Sequence, residues 1–345
     1  MNRPIRVLVV DDSAFARKVL REMLSRSPYI EVVGAARDGI EALEMVGQLQ
    51  PDVVTCDLMM PQLDGLGFIR QQLARKPVPI LVLSVASEEA ELVLQSLEAG
   101  AVDFIQKPTA LATNDLFRIR EELIEKVKAA AVAPAARLSP LGAVKPQAPL
   151  TKKTSARFDA IVIAVSTGGP QALRVLLPRF SADFPVPIAI VLHMPVGFTA
   201  LYAAKLNELC SLQIKEAAEG DEMRPGLGLL ALAGRHLILR RENTGGVIAH
   251  LGIQPVDSLH RPSADVLFQS AAEAYRDRVL GVIMTGMGSD GKEGAAWIKA
   301  QGGTVLTEAE ESCVIYGMPR SVVEAGLSDA AVPLENLAQA ILDQL

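Results

Sequence analysis

Ser166 stands in the run Ala164-Val165-Ser166-Thr167-Gly168-Gly169-Pro170, after the apolar stretch Ile161 to Val165 and ahead of a helical pattern over Gln171 to Leu177. A serine at the carboxyl end of a strand, followed by two glycines, sits on a tight strand-to-helix turn. Such a turn exposes the hydroxyl and points backbone N–H groups at whatever it attacks. The ordinary alternative for such a residue is a helix N-cap. His193 ends a second apolar run, and Asp290 lies in the loop Gly286-Met287-Gly288-Ser289-Asp290-Gly291 after a third. Hydroxyl, imidazole and carboxylate are the types acyl transfer needs: the imidazole takes the hydroxyl proton and the carboxylate fixes its tautomer. The chain order Ser, His, Asp matches none of the familiar triad orders, but triads are defined by geometry. Of the other histidines, His236 and His250 fall in a region of hairpin pattern, where a solvated or structural role is expected, and His260 receives no role. A rival reading takes Gly286, Gly288 and Gly291, with Glu308 and Glu310 further on, as a dinucleotide-binding fingerprint. It comes late in its domain and leaves Ser166 and His193 unexplained.

A second constellation lies in the first third of the chain. Asp11 and Asp12 close one apolar run, Asp57 closes another, Ser84 lies near the end of a fourth, and Lys107 follows a fifth. Converging carboxylates suit a hard divalent cation such as Mg²⁺, and a hydroxyl with an ammonium suits a phosphoryl group. Any one of these acids is most simply a helix cap; all of these residues at strand ends of one sheet are much less expected by chance.

The elements that must position these residues follow from periodicity. Residues 5–130 alternate strand and helix, with strands expected at 5–10, 31–36, 52–57, 79–85 and 101–106. That alternation gives a parallel sheet covered on both faces. Between 129 and 157 the pattern dissolves into Ala, Pro and small polar residues. Pro134, Pro140, Pro146 and Pro149 forbid a continuous helix, and Arg137, Lys145, Lys152, Lys153 and Arg157 face no acid. This stretch reads as a flexible, mildly basic tether. Residues 158–345 form a second α/β unit, with strands expected at 160–165, 187–193, 279–285 and 304–308. Helices are expected after Gly169, Gly197, Pro262 and Asp290, with a last one from Pro333 and an antiparallel hairpin insert at 227–252. The fold class is therefore two doubly wound α/β/α domains: a five-stranded parallel one, then a larger, mostly parallel, Rossmann-like one.

Composition limits the function classes. Half the residues are hydrophobic and 4% aromatic, as in Val/Ile/Leu-rich parallel sheets. A net charge of −6 and a pI near 5.4 speak against a nucleic-acid partner. No apolar run approaches the ~18 residues of a membrane span, and no signal peptide is expected at the start. Cys56, Cys210 and Cys313 stand far apart in no metal-like spacing. A reduced, cytoplasmic protein is expected.

Residues 1–128 resemble the receiver domain of response regulators. The resemblance rests on Asp11-Asp12, on Asp57-Leu58-Met59-Met60-Pro61 with Asp64-Gly65, and on Ser84 and Lys107-Pro108. It implies that Asp57 accepts a phosphoryl group, and that Asp11, Asp12 and Asp57 hold Mg²⁺ with the Met59 carbonyl. Ser84 and Lys107 then contact the phosphoryl group, and Phe104 is a rotameric switch. Residues 160–340 resemble the catalytic domain of the CheB family of protein-glutamate methylesterases. The carrying segments are Ser166-Thr167-Gly168-Gly169-Pro170, His193-Met194-Pro195, Arg261-Pro262-Ser263, Thr285 to Gly291 and Gly317-Met318-Pro319-Arg320. Ser84 stands where many receivers have threonine, Leu192 where glutamine is frequent, and Ser289 where asparagine is common. The resemblance implies hydrolysis of γ-glutamyl methyl esters on methyl-accepting chemoreceptors, and deamidation of receptor glutamines. It implies Ser166, His193 and Asp290 as the triad, and no metal in that site. We read the backbone N–H groups of Thr167 and Met287 as its oxyanion hole. A chemotaxis histidine kinase is the implied phosphodonor, with no nucleic acid or membrane insertion and a monomeric chain. The alternative is a phosphorylation-controlled scaffold with an idle second domain.

Overall fold

The computed structural model describes residues 3–84, 89–107, 113–134 and 157–345, which fall into two compact units, Met1–Ala143 and Val144–Leu345. Most of the expected tether, with Arg137, Lys145, Lys152 and Lys153, lies outside the described residues, as do Val85 and Pro108.

In the first unit the strands are β1 (Ile5–Val10), β2 (Ile30–Ala36), β3 (Val53–Asp57), β4 (Ile80–Ser84) and β5 (Asp103–Gln106). They form one parallel sheet in the order β2-β1-β3-β4-β5. The helices between them are α1 (Ala14–Leu24), α2 (Gly39–Leu49), α3 (Gly65–Arg75) and α4 (Ala90–Glu98), with α5 (Thr113–Ala130) last. Capping chemistry sets the starts of three: Ser13, Asp38 and Asp64 each accept backbone N–H bonds from the first turn that follows. β3 and β4 are buried along their whole length, which is why they read as unbroken apolar runs rather than alternating ones.

The second unit is built on seven parallel strands in the order β14-β13-β12-β6-β7-β9-β8. These are β6 (Ala160–Val165), β7 (Ile188–Leu192), β8 (Gln213–Glu216), β9 (Leu227–Leu230), β12 (Val279–Ile283), β13 (Thr304–Glu308) and β14 (Ala330–Val332). A separate antiparallel pair, β10 (His236–Arg241) and β11 (Val247–Gly252), makes the hairpin. The helices are α6 (Gly169–Leu176), α7 (Thr199–Leu209), α8 (Ala264–Tyr275), α9 (Lys292–Ala300), α10 (Met318–Glu324) and α11 (Leu334–Gln344). The chain runs one way from β6 through β7 and returns to the other side at β12. The carboxyl ends of these three strands thus flank the point where strand order reverses, the place where open α/β sheets bind ligands.

Two expectations need correction. The hairpin does not begin at residue 227: Leu227–Leu230 is buried on both faces and pairs with β7 and β8, so it belongs to the main sheet. A turn at Arg224-Pro225-Gly226 introduces that strand, and Thr244-Gly245-Gly246 turns the hairpin. β8, β14 and α10 escaped the periodicity reading, because three, four or seven residues are too few to show a period.

Candidate active site

Ser166 follows the last paired residue of β6. Its backbone N–H donates to the Thr285 carbonyl (3.0 Å), and its own carbonyl accepts from Gly169 N–H (2.7 Å), closing the turn into α6. Gly168 has φ +79°, and a Cβ there would sit 2.6 Å from Val314. The turn therefore demands glycine on both conformational and steric grounds. Gly286 is required for another reason: a Cβ on it would meet the Ser166 Cβ at 2.8 Å. The loop after β12 thus lies directly against the serine. Gly286, placed by the rival reading in a phosphate-binding loop, is occupied with that approach. Glu308, the acid of that reading, is buried and accepts the Thr285 N–H (2.8 Å) and the Ser312 hydroxyl (2.9 Å). It braces the loop from beneath.

His193 enters from the neighbouring strand. Val165 and Leu192 are register partners, and His193 N–H donates to the Val165 carbonyl (3.1 Å). Ser166 and His193 therefore take the next positions beyond a paired rung, on strands about 4.8 Å apart. His193 Nε2 lies 2.7 Å from Asp290 Oδ2. Its Nδ1 is buried and has no hydrogen-bond partner among the described residues. With Nε2 committed to a carboxylate, Nε2 carries the proton and Nδ1 is the basic nitrogen. In the chymotrypsin-type triad it is Nδ1 that faces the carboxylate instead.

Asp290 is held by much more than the imidazole. It accepts from Ser263 Oγ (2.8 Å), Ala264 N–H (2.7 Å) and Asp265 N–H (3.1 Å) as well. Burial works against its charge. The His193 hydrogen bond and charge, with the two helical N–H groups, outweigh burial and hold the carboxyl well below the usual range. Ionised Asp290 is the state that stabilises an imidazolium. Of the backbone donors expected to face an oxyanion, Thr167 is buried and Met287 is half-buried in the turn beside Ser166. Gly286 N–H is already given to the Ile315 carbonyl (3.0 Å), which leaves Met287 as the next donor in that turn.

One residue at the site went unassigned in the sequence. The His260 ring stacks on His193, centroids 4.0 Å apart and 16° from parallel. It precedes Arg261-Pro262-Ser263, and nothing in its spacing announces the stack.

In the first unit, ligand oxygens of Asp11, Asp12 and Asp57 lie within 4.8 Å of one another. Lys107 Nζ bridges Asp11 Oδ2 (2.6 Å) and Asp57 Oδ2 (2.9 Å). Asp57 Oδ1 accepts the Leu58 N–H (2.8 Å). Burial, with the Asp11 charge, raises the Asp57 carboxyl above its ordinary value despite Lys107 and the Leu58 N–H. Burial alone would lower Lys107, but its two carboxylate partners win and raise it. Ser84, one position beyond the Asp57–Leu83 rung, gives its hydroxyl to Glu89 (2.7 Å). Phe104 is buried, with Lys126 Nζ 5.7 Å from its ring centre, and Met59 is exposed. These are hard oxygen donors in mutual reach, a set that fits Mg²⁺.

A family model described as CheB methylesterase matches residues 161–341, and one described as response regulator receiver domain matches residues 7–117. A protein-glutamate methylesterase/protein-glutamine glutaminase of Myxococcus xanthus is 52% identical over 97% of this chain and 96% of its own length. One from Symbiobacterium thermophilum is 43% identical over 99% and 97%. The crystal structure of the Thermotoga maritima CheB methylesterase catalytic domain superposes with a TM-score of 0.53. It is 39% identical and covers 55% of this chain and 99% of its own. Among the described residues no helix is long and apolar enough to cross a membrane.

Proposed function

The chain belongs to the CheB methylesterase family, with a receiver domain ahead of the catalytic one, and on that premise we propose how its site works. It is a phosphorylation-regulated protein-glutamate methylesterase and protein-glutamine glutaminase of chemotaxis, the activities its relatives are named for. The carrying observation is the 2.7 Å His193–Asp290 hydrogen bond, one rung beyond the Val165–Leu192 pair and beside Ser166. His193 Nδ1 takes the proton from Ser166 Oγ as that oxygen attacks the ester carbonyl. The imidazolium keeps its Nε2–H on Asp290. The carbonyl oxygen, now negative, is met by the N–H groups of Thr167 and Met287. Collapse expels methoxide, which leaves as methanol with the proton from His193. Water, deprotonated by the same nitrogen, then attacks the acyl-enzyme, and Ser166 Oγ leaves with that proton from His193, giving glutamate and the starting serine. With a glutamine side chain the same steps release ammonia.

In the receiver domain, Asp11, Asp12 and Asp57, with the Met59 carbonyl, would hold Mg²⁺, which when bound offsets the charge of the carboxylates and of the incoming phosphoryl group. Asp57 is the acceptor. Lys107, which bridges Asp11 and Asp57, pairs with the phosphoryl oxygens, and Ser84 leaves Glu89 to donate to them, with Phe104 following. The substrates are methyl-accepting chemoreceptors, the phosphodonor is a chemotaxis histidine kinase, and the chain works as a cytoplasmic monomer. Phosphorylation of Asp57 raises the esterase rate above that of the unphosphorylated chain. Methanol release from methylated receptor membranes tests this, with and without a small phosphodonor. Wild-type protein should turn over and accelerate with phosphodonor. A Ser166→Ala protein that demethylates at the wild-type rate would overturn the assignment.

A further inference from the structure

The acid that orients His193 is itself fixed by an exchange of caps between two helices. α8 begins after Ser263, whose hydroxyl does not bond its own first turn but donates to Asp290 Oδ1 (2.8 Å). The first N–H groups of that helix, on Ala264 and Asp265, also go to Asp290, at 2.7 and 3.1 Å. α9 begins after Gly291, which has no side chain to cap it. Its leading N–H groups, on Gly291 and Gly294, both go to Asp265 Oδ1, at 2.9 and 2.7 Å. Each helix therefore has its N-terminus closed by a carboxylate belonging to the other.

The exchange has a directional consequence. Asp290 sits in a glycine-rich loop, with Gly288 at φ +85° and Gly291 at φ +99° on either side. On one side it is tied to α8 through its carboxylate. On the other, the chain immediately after it is tied to α8 through Asp265. Both ties end on the same first turn of the same helix, so the loop is pinned on each side of the carboxylate that His193 uses. An ionised carboxylate has about four good acceptor sites, and Asp290 fills them with Ser263, Ala264, Asp265 and His193. Its orientation has no freedom left.

We propose that Asp265 is a positioning residue for the esterase reaction: its side chain clamps the start of α9 and so sets the angle at which Asp290 meets His193. The proposal rests on the triad reading given above. Asp265 touches no substrate in it. Its carboxyl faces Asp290 and the N–H groups of Gly291 and Gly294. Asparagine keeps a carbonyl acceptor in the same place, whereas alanine keeps none.

The test uses full-length Asp265→Ala, Asp265→Asn and Ser166→Ala proteins on methylated receptor membranes, with kcat and KM measured separately and folding checked by circular dichroism. Displacing an oriented group by about 1 Å costs on the order of a hundredfold in rate. Asp265→Ala should therefore lose ten- to a hundredfold in kcat, with KM within about twofold of wild type. Asp265→Asn should recover most of kcat. Should Asp265→Ala fail to fold, Asp265→Ser, whose hydroxyl favours a helix first turn but is too short to reach both α9 donors, takes its place with the same expectation. A folded Asp265→Ala or Asp265→Ser protein with wild-type kcat overturns the inference. So does an Asp265→Asn protein as slow as the alanine variant, since the acceptor would not be what matters. Wild-type turnover by Ser166→Ala would instead remove the triad reading, a result that the Asp265 variants cannot mimic.

Discussion

Two aspartates at the carboxyl edges of two parallel sheets are managed in opposite ways. Asp57 ends β3 with one backbone N–H and one ammonium on its oxygens, and burial pushes its carboxyl up. Asp290, in the loop after β12, receives four donors and is driven down. Both are buried, so exposure does not separate them. The difference is hydrogen-bond saturation. A carboxylate that must attack phosphorus needs a lone pair left over. A carboxylate that must only orient an imidazole works best with none. On the function proposed above, the same side chain on the same kind of fold serves as a nucleophile in one unit and a fixed support in the other, and the donor sets suit those two roles.

The largest effect expected from this contrast lies beside Asp290. Ser166→Ala and His193→Ala should each lower demethylation by on the order of a thousandfold or more, and the double variant should be little worse than either, because the groups act as a unit. Additive losses would mean that serine and histidine work separately. Next in size is the receiver. The fragment 155–345, which carries the whole stretch matched by the methylesterase family model, should outpace the unphosphorylated full chain and ignore phosphodonor. A hundredfold difference corresponds to about 2.7 kcal/mol in activation free energy. A fragment no faster than the full chain would mean that the receiver raises the rate when phosphorylated rather than lowering it when unphosphorylated.

How much of this was legible in the sequence depended on what each residue's signal was. Ser166 and His193 were singled out because each directly follows a long apolar run, and Asp290 because it lies in the loop after a third; strand ends are where such sheets put chemistry. The β6, β7, β12 and β13 runs are all fully buried, so their apolar stretches stood out. β9 is equally buried but only four residues long, and was absorbed into the neighbouring hairpin. Asp265 and Ser263 looked like an ordinary helix start, since Ser-x-Asp spacing says nothing of a partner some 25 residues away. The stack of His260 on His193 is a tertiary fact with no periodic trace. Which histidine nitrogen faces Asp290 is likewise set by the approach of β7, not by residue type.

Smaller effects concern stability. Ser166→Ala removes one hydroxyl from a turn whose backbone bonds survive, so unfolding should shift by no more than about 1 kcal/mol. A collapse in melting temperature would make Ser166 a structural residue. A second stability effect sharpens the contrast between carboxylates. Burial and the neighbouring Asp290 charge raise Asp265 to about 6, against the Gly294 and Gly291 N–H groups. A raised folded-state value means that its contribution is fully present below the unfolded value, near 4, and is lost as pH rises through about 6. Asp265→Asn lacks this titration. Relative to wild type, that variant should therefore gain in melting temperature between pH 4 and pH 7, as followed by thermal unfolding across that window. A constant difference between the two proteins would show that Asp265 titrates normally.

The most direct measurement of the contrast replaces each aspartate by its neutral isostere and follows methanol release from methylated receptor, with and without acetyl phosphate. Asp57→Asn should keep the unphosphorylated basal rate and lose all response to the donor. Asp290→Asn should lose turnover in both conditions, by about 10³–10⁴-fold, as a carboxylate that fixes a histidine tautomer does. An Asp290→Asn protein that still turns over and still accelerates with acetyl phosphate would contradict the account.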